Sequence, residues 1–482
     1  MRISTRHLNS LAACIGLALL AGCSGVQKVK ALVTGPSSPY LTGYIGEVAA
    51  DEPRAALVGR DILARGGNAA DAAAALGLAL SVTLPSRASL GAGGACLAYD
   101  ASGAAPDAIL FTSVAGAPGL DADRPAAVPM LARGLFLLQA RHGHVGFDEL
   151  TRPAAGLARD GITVSRAFAD DLAQVSQPLL ADPGTRAIFG AVGGGTGGGV
   201  PVAGDQLVQP TLSETLSRIA LSGVGELYTG ALSRDFVAGA DAAGGGLDAD
   251  SMRSALPTSR AALHLQSGRY EVGFLPPPAD GGLAAAAGFA ALEQGQGDAV
   301  GVSQAAAAAW RARHPQQGNG DHLAEAAQLV LDEALHAGAS GAPLSRLPAS
   351  TSFVVLDRSG NAVSCAVSMN NLFGTGRVAG DTGILLAASP ARVPAPLLPA
   401  AIAYNPSGNS FRAAVAGSGQ NQAAGAVAAA MHNALAGVPL SHPVTETGRV
   451  NTISCPQGLP GDSNSCAGTT DPRGAGLAIG SE

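Results

Sequence analysis

Two neighbouring hydroxyl side chains in the last third of the chain, Ser350 and Thr351, stand where a nucleophile could act. They precede the apolar segment Phe353–Leu356; a turn follows over 357–361, and a second alternating segment covers 362–369. Glycine and asparagine between two such segments predict a β-hairpin. If the chain is cut just before the first hydroxyl, the freed α-amino group is a general base on the nucleophile's own residue. The pattern indicates either an N-terminal nucleophile or a surface hairpin that happens to begin with Ser-Thr.

Helices and strands must hold this hairpin in place. Helix-rich halves around Val- and Ala-rich strands predict a layered arrangement of helices and sheets. The glycines of 193–199 predict a flexible loop, not a phosphate cradle, because the lysine of a P-loop is missing. The predicted helices are Arg54–Arg65, a second helix from its Asn68 cap to Ser81, and 209–221, 322–336 and 422–435. Asp71, three residues after Asn68, completes the pattern of a capping box at the start of the second helix.

The N-terminus has the composition of an export signal. Two arginines precede the apolar segment Leu11–Leu20, which is too short to span a bilayer and ends just before Cys23. This pattern predicts a lipoprotein signal peptide over 1–22, lipidation of Cys23 and a tether over 23–43; an ordinary signal peptide is the alternative. The protein is then exported and lipid-anchored to a bacterial membrane, facing the periplasm. Ser24 favours the outer membrane.

The composition of the chain limits the kinds of partner that we expect it to bind. Charged residues are 13% of the chain, the formal net charge is −7, and no basic run occurs. An acidic chain of this kind is not expected to bind nucleic acid. No second apolar segment is long enough to span a membrane, so we expect contact with the membrane through the lipid anchor alone.

The cysteines suggest one disulfide. Cys455 and Cys466 flank a Pro/Gly/Ser-rich loop, and in an oxidising compartment they predict a disulfide. Cys96 and Cys365 lie in apolar strand-like segments and are predicted to be buried thiols. No Cys/His spacing is typical of zinc, so no metal is expected.

Several separate blocks of the sequence form one ordered set: Glu52–Ala73, Ser89–Gly94, Leu275–Pro278, Asn370–Gly376 and Asp471–Gly474. In this order they resemble the γ-glutamyltransferase family over roughly residues 44 to 478. The resemblance implies an α+β fold, a four-layer αββα sandwich of the N-terminal-nucleophile hydrolase type. It also implies a large-subunit-like region 44–349 and a small-subunit-like region 350–482, two fragments of the same chain once Ala349–Ser350 is cut.

The resemblance also implies roles for individual residues. The family's nucleophile falls on Ser350, although a shift of one residue would place it on Thr351. The hydroxyl that supports the nucleophile falls on Ser368, and the asparagine that binds the substrate's α-amino group falls on Asn370. Backbone N–H groups are implied to receive the oxyanion over Ser418, Gly419, Gln420 and Asn421.

Other substrate-binding positions depart from the family. Thr112 stands where the resemblance implies an arginine for the γ-glutamyl carboxylate, and Ser389 and Arg392 stand where it implies Gln and Asp for the ammonium group. Losing a guanidinium–carboxylate contact costs about 1.5–3 kcal/mol. A cation in place of the acidic residue adds like-charge repulsion. The pocket is therefore expected to bind γ-glutamyl groups less well.

Three interpretations follow. The inherited activity is hydrolysis or transfer of γ-glutamyl groups, from glutathione and its conjugates, without any cofactor. The second is an amidohydrolase of the same mechanism for another acyl group, with Arg392 binding a distal carboxylate. Both act on a small-molecule amide or peptide. The third is a non-catalytic, membrane-anchored scaffold.

Overall fold

The computed structural model describes residues 40–102, 105–117, 122–190, 199–315, 322–332, 347–440 and 442–480. The predicted signal peptide, Cys23, nearly all of the tether and most of the glycine loop 193–199 lie outside these ranges. The chain divides into a unit Met1–Leu41 and a unit Thr42–Glu482, and all elements below belong to the second. Among the described helices, none has both the length and the apolar character needed to cross a membrane.

Seventeen strands are assigned in the described ranges, and the hairpin of the sequence prediction is confirmed as β11 and β12. In chain order the strands are β1 Gly46–Ala50, β2 Gly93–Tyr99, β3 Asp107–Phe111, β4 Val114–Ala115, β5 Ala127–Val128, β6 Ile162–Thr163, β7 Gln206–Leu207, β8 Thr258–Ala261, β9 Leu263–Ser267, β10 Tyr270–Phe274, β11 Ser350–Asp357, β12 Ala362–Ser368, β13 Ala400–Asn405, β14 Ser410–Ser418, β15 Arg449–Leu459, β16 Ala467–Thr470 and β17 Leu477–Gly480.

Two large antiparallel sheets contain most of these strands. The first has the order β17-β1-β11-β12-β2-β3-β8, and the second β16-β15-β14-β13-β10-β9. β4 pairs with β5, and β6 with β7. Both sheets combine strands from before and after residue 350, and in the first sheet β1 lies between β17 and β11. The two predicted regions are therefore interleaved in the described fold rather than placed side by side.

Fifteen α-helices surround the sheets in the described ranges. They are α1 Pro53–Ala64, α2 Ala69–Thr83, α3 Pro85–Ala88, α4 Leu131–His142, α5 Phe147–Asp160, α6 Arg166–Gln174, α7 Ser176–Ala181, α8 Pro183–Phe189, α9 Pro210–Ser222, α10 Ala231–Ala242, α11 Ala249–Ser254, α12 Asp280–Glu293, α13 Ala299–Arg313, α14 Leu323–Leu331 and α15 Ala423–Leu435. The predicted helices correspond to α1, α2, α9, α14 and α15. The predicted α14 extended to residue 336, but helix is assigned only to Leu331, and 333–346 are outside the described residues.

Packing of these elements confirms the four-layer αββα sandwich. Helices α1, α2 and α4 contact the first sheet, whereas α12 and α15 contact the second. An apolar cluster between the sheets combines residues of both, including Val354, Leu356, Ile402 and Phe411. The alanine-rich α2 is buried along its whole length, and small side chains let it pack closely on all sides. Its Asn68 and Asp71 form the predicted capping box.

Two disulfides are present. Cys455–Cys466 is bonded, as predicted. The prediction that Cys96 and Cys365 are free thiols is wrong, because they form the other disulfide. The two residues are direct partners in the register of β2 and β12, which brings their side chains together on one face of the sheet. The bond therefore joins the region before residue 350 to the region after it.

Candidate active site

Ser350 occupies the first position of β11, in the middle of the first sheet. It is only 1% exposed and lies directly opposite Ser368 of β12. Ser350 also lines a cavity of about 880 Å³, together with the turn 418–422 at the end of β14. A hydroxyl at the start of a central strand is therefore buried yet borders a space large enough for a small ligand.

The peptide bond before Ser350 has two hydrogen-bond donors on its carbonyl oxygen. Ser368 Oγ donates to Ala349 O at 2.7 Å, and Met369 N donates to the same oxygen at 3.1 Å. Ser368 Oγ in turn accepts from the backbone N of Asn370 at 2.8 Å, which fixes its orientation. Two donors on one carbonyl polarise it and can stabilise negative charge on the oxygen.

A turn from the second sheet reaches the same hydroxyl. Gly419 N donates to Ser350 Oγ at 3.4 Å. Gly419 has φ +106°, and a Cβ there would meet Thr447 O at 2.5 Å, so the close approach requires glycine. Gln420 follows at φ +58° and begins a short 3₁₀ turn that leads into α15. Backbone N–H groups at the start of a helix favour a developing negative charge.

One carboxylate connects this turn to β11, the strand that begins at Ser350. Asp51 Oδ2 accepts from Thr351 Oγ1 and Ser352 N at 3.0 Å each and from Ser418 Oγ at 3.3 Å. Its other oxygen accepts from Asn451 Nδ2 at 2.8 Å. Asp51 follows β1, so it ties the first strand of the fold to β11, β14 and β15. Thr351 Oγ1 is thus held by a carboxylate, whereas Ser350 Oγ is the hydroxyl that borders the cavity.

A buried ion pair lies in the wall of the cavity that Ser350 lines. Arg87 Nε and Nη2 each donate to a different oxygen of Asp171 at 2.7 Å, and Ser86 Oγ donates to the same carboxylate. Burial lowers the pKa of Arg87, but the attraction of Asp171 outweighs it and the net pKa is raised. A bidentate pair of this kind keeps both groups charged and fixed.

The four predicted substrate-binding residues do not line this cavity within the described part of the chain. Asn370 is 2% exposed; its Nδ2 donates to Ala388 O at 2.7 Å, and its Oδ1 accepts from Ser113 Oγ at 3.3 Å. Thr112 is half-buried next to β3, Ser389 is buried, and Arg392 is exposed. Their substrate-binding roles stay predictions. Of the predicted catalytic and oxyanion residues, Ser350, Ser418, Gly419, Gln420 and Asn421 do line the cavity.

Sequence reasoning missed several residues of this site. Asp51 directly precedes the Glu52–Ala73 block, and this position next to a family-like segment could have indicated that it belongs to the site. Asn451 and Arg449 lie in β15, and no motif was recognised in the sequence of that strand. The pairing of Arg87 with Asp171 joins residues 84 positions apart and could be found only in three dimensions.

A different set of residues could hold a metal ion. His314, His322 and Glu325 place their ligand atoms within 4.8 Å of one another, away from the cavity. His314 Nε2 and Glu325 Oε1 are 3.0 Å apart, and the His314 ring stacks on Trp310. This hydrogen bond and the ring contacts account for the arrangement without an ion.

Two antiparallel sheets between helical layers, with a buried serine at the start of a central strand, have the fold of the N-terminal-nucleophile hydrolases. Known structures agree with this fold. Cephalosporin acylase from Bacillus halodurans superposes with a TM-score of 0.70 at 18% identity, covering 92% of this chain and 98% of that one. The γ-glutamyltranspeptidase of Helicobacter pylori gives a TM-score of 0.54 at 21% identity, over 63% of this chain and 95% of that one.

The chain belongs to the γ-glutamyltranspeptidase family, whose model matches residues 55–337. The glutathione hydrolase proenzyme of Escherichia coli is 29% identical over 71% of this chain, and the match spans 65% of that protein. The glutathione hydrolase proenzyme of Bacillus subtilis is 25% identical over 71% of this chain and 68% of its own length. The expected family and fold are thereby confirmed.

Proposed function

We propose that this protein matures by cutting its own Ala349–Ser350 bond and then hydrolyses or transfers γ-glutamyl groups. The observation that carries the proposal is the paired donation of Ser368 Oγ and Met369 N to the Ala349 oxygen. The carbonyl is polarised at the one peptide bond whose cleavage would turn Ser350 into an N-terminal nucleophile.

Maturation proceeds in two steps. Ser350 Oγ attacks the Ala349 carbonyl carbon, the C–N bond breaks, and the hydroxyl proton passes to the departing Ser350 nitrogen. The product is an ester between Ala349 and Ser350 Oγ. Water then hydrolyses this ester, leaving the Ala349 carboxylate, the free Ser350 hydroxyl and a free α-amino group.

Turnover repeats this chemistry on a substrate. The Ser350 α-amine accepts the hydroxyl proton, and Oγ attacks the carbonyl of the substrate amide. The Gly419 N–H and its neighbours in the turn 418–421 stabilise the oxyanion in this proposal, which the hydrogen bond from Gly419 N to Ser350 Oγ supports. The proton goes to the leaving amine. Water or a second amine then cleaves the acyl ester, and Ser350 is regenerated.

We further propose the surroundings in which this happens. The names of the relatives favour glutathione and other γ-glutamyl amides as substrates. The N-terminal sequence favours export, with Cys23 lipidated and the globular unit facing the periplasm. The Cys96–Cys365 and Cys455–Cys466 disulfides support an oxidising compartment.

The intact mass of the protein, produced from residue 24 onward, tests the proposal. Wild type should give two fragments that meet between Ala349 and Ser350, and release glutamate from glutathione. Ser350→Ala should give one uncut chain with no turnover, whereas Thr351→Ala should be cut at the same bond. Cutting that continues unchanged in Ser350→Ala would contradict the assignment, and loss in Thr351→Ala alone would move the nucleophile to Thr351.

A further inference from the structure

Not every charged side chain that lines the Ser350 cavity has a partner in the described structure. Arg87 is paired with Asp171. Arg473 is held by the Asp471 carboxylate at 2.7 Å and by the Gly448 carbonyl. Two arginines of the same wall, Arg166 and Arg449, have side chains that make no hydrogen bond or ion pair with any residue that the structure describes. Arg166 is exposed to water, whereas Arg449 is half-buried.

Register places Arg449 next to the catalytic turn. It is the first residue of β15 and the direct partner of Ser418, the last residue of β14. Paired residues of an antiparallel ladder project from the same face of the sheet, with Cβ atoms about 5 Å apart. The next residue after Ser418 is Gly419, whose N–H reaches Ser350 Oγ. The Arg449 guanidinium therefore borders the space where an acyl group bound at Ser350 would lie.

A half-buried guanidinium without a counterion is costly, since its planar donors lose water and gain no acceptor. The acidic side chains of the cavity do not supply that acceptor. Asp171 is committed to Arg87 and Ser86. Asp170 and Glu446 are exposed. A carboxylate brought by a ligand would fit, because the guanidinium fork matches its two oxygens.

We propose that Arg449 binds a carboxylate in the acyl half of the substrate and so makes the site selective for amides of acidic acyl groups. This inference rests on the proposed function, because the cavity it concerns is the one that Ser350 lines. It assigns to Arg449 the role that sequence reasoning gave to Arg392. Arg392 is exposed and is not among the described residues of the cavity wall.

Three chromogenic amides separate the contribution of the acyl group's carboxylate from that of its ammonium group. γ-Glutamyl 4-nitroanilide carries a carboxylate and an ammonium group, glutaryl 4-nitroanilide only the carboxylate, and 4-aminobutyryl 4-nitroanilide only the ammonium group. Each is assayed with wild type, Arg449→Gln, Arg449→Lys and Arg392→Gln, and kcat/KM is expressed per processed molecule, counted by intact mass. Arg358→Gln, in the exposed turn at the far end of β11, is the matched control.

Arg449→Gln should lower kcat/KM by about 10- to 100-fold for the two substrates that carry the carboxylate, the value of one charge-assisted contact. The kcat/KM of Arg449→Gln for the 4-aminobutyryl substrate should stay within about twofold of the wild-type value. Arg449→Lys should recover part of the loss, because it keeps the charge but not the fork. Arg358→Gln should match wild type on all three substrates, and Arg392→Gln should show no loss that depends on the carboxylate.

Equal losses on all three substrates would show a structural role for Arg449 and overturn the inference. A carboxylate-dependent loss in Arg392→Gln and not in Arg449→Gln would also overturn it. If wild type hydrolyses none of the amides, the proposed function fails, and the inference is then decided by calorimetry with glutarate. Binding to wild type that is at least tenfold weaker in Arg449→Gln would support the inference; equal or undetectable binding would overturn it.

Discussion

Removing the Asp51 carboxylate should weaken the contact between the two large sheets next to Ser350. Asp51→Ala takes away the acceptor used by Thr351 Oγ1, Ser352 N, Ser418 Oγ and Asn451 Nδ2. A hydrogen bond to a charged group contributes about 1.5–3 kcal/mol. The four bonds share one half-buried carboxylate, and Asn451 keeps acceptors on Ser352, so the sum is not additive. We expect a loss of about 2–4 kcal/mol in the free energy of unfolding.

The measurement is equilibrium denaturation of Asp51→Ala in the Ser350→Ala background, so that chain cutting does not complicate the comparison. Asp51→Asn should do no better, because its amide nitrogen would face a donor, either Ser352 N or Asn451 Nδ2. Asp148→Ala is the matched control, since its ion pair with Arg152 is exposed on α5. A change in Asp51→Ala below about 0.5 kcal/mol, no larger than in the control, would refute the reasoning.

Three further predictions concern maturation, covalent linkage and pH. Ser368→Ala should slow cutting at Ala349 by about 10²–10³-fold in a time course of intact mass, whereas Ser368→Thr should not; equal rates would contradict the role of this hydroxyl. If the chain is cut, the fragments should run together on a non-reducing gel and apart after denaturation with reductant, because Cys96–Cys365 joins them; separation without reductant would contradict this. Burial raises the pKa of Glu47 from 4.5 to about 7. Between these pH values the folded state keeps a proton on Glu47 that the unfolded state releases. The free energy of unfolding should therefore fall as pH rises through this interval. Glu47→Gln should flatten that part of the curve, and an unchanged slope would refute the assignment.

The buried ion pair Arg87–Asp171 explains why the site depends on the whole fold. Arg87 lies in α3 and Asp171 in α6, and the pair meets only when both helices pack at the cavity. The attraction of Asp51 adds to that of Asp171 on the same guanidinium. Charges contributed by three separate segments thus surround Ser350, and a shift of any of these segments would alter the cavity wall.

Local patterns were sufficient for the elements of the fold. The hairpin of β11 and β12 was predictable from apolar alternation and a glycine-containing turn, and the start of α2 from Asn68 and Asp71, because those interactions lie within a few residues. Cys455–Cys466, 11 residues apart, was predictable for the same reason. The order of family-like blocks supplied the sandwich architecture, which local propensity does not specify.

Contacts between distant segments were decided by the tertiary structure alone. Cys96 and Cys365, 269 residues apart, were expected to be thiols and instead form a disulfide, because strand register places them opposite each other. That Arg449 and not Arg392 lines the Ser350 cavity was likewise out of reach of the sequence. Residue types and spacing determine which groups could act, but partners and solvent exposure depend on how the sheets pack, and these decide which arginines border the cavity.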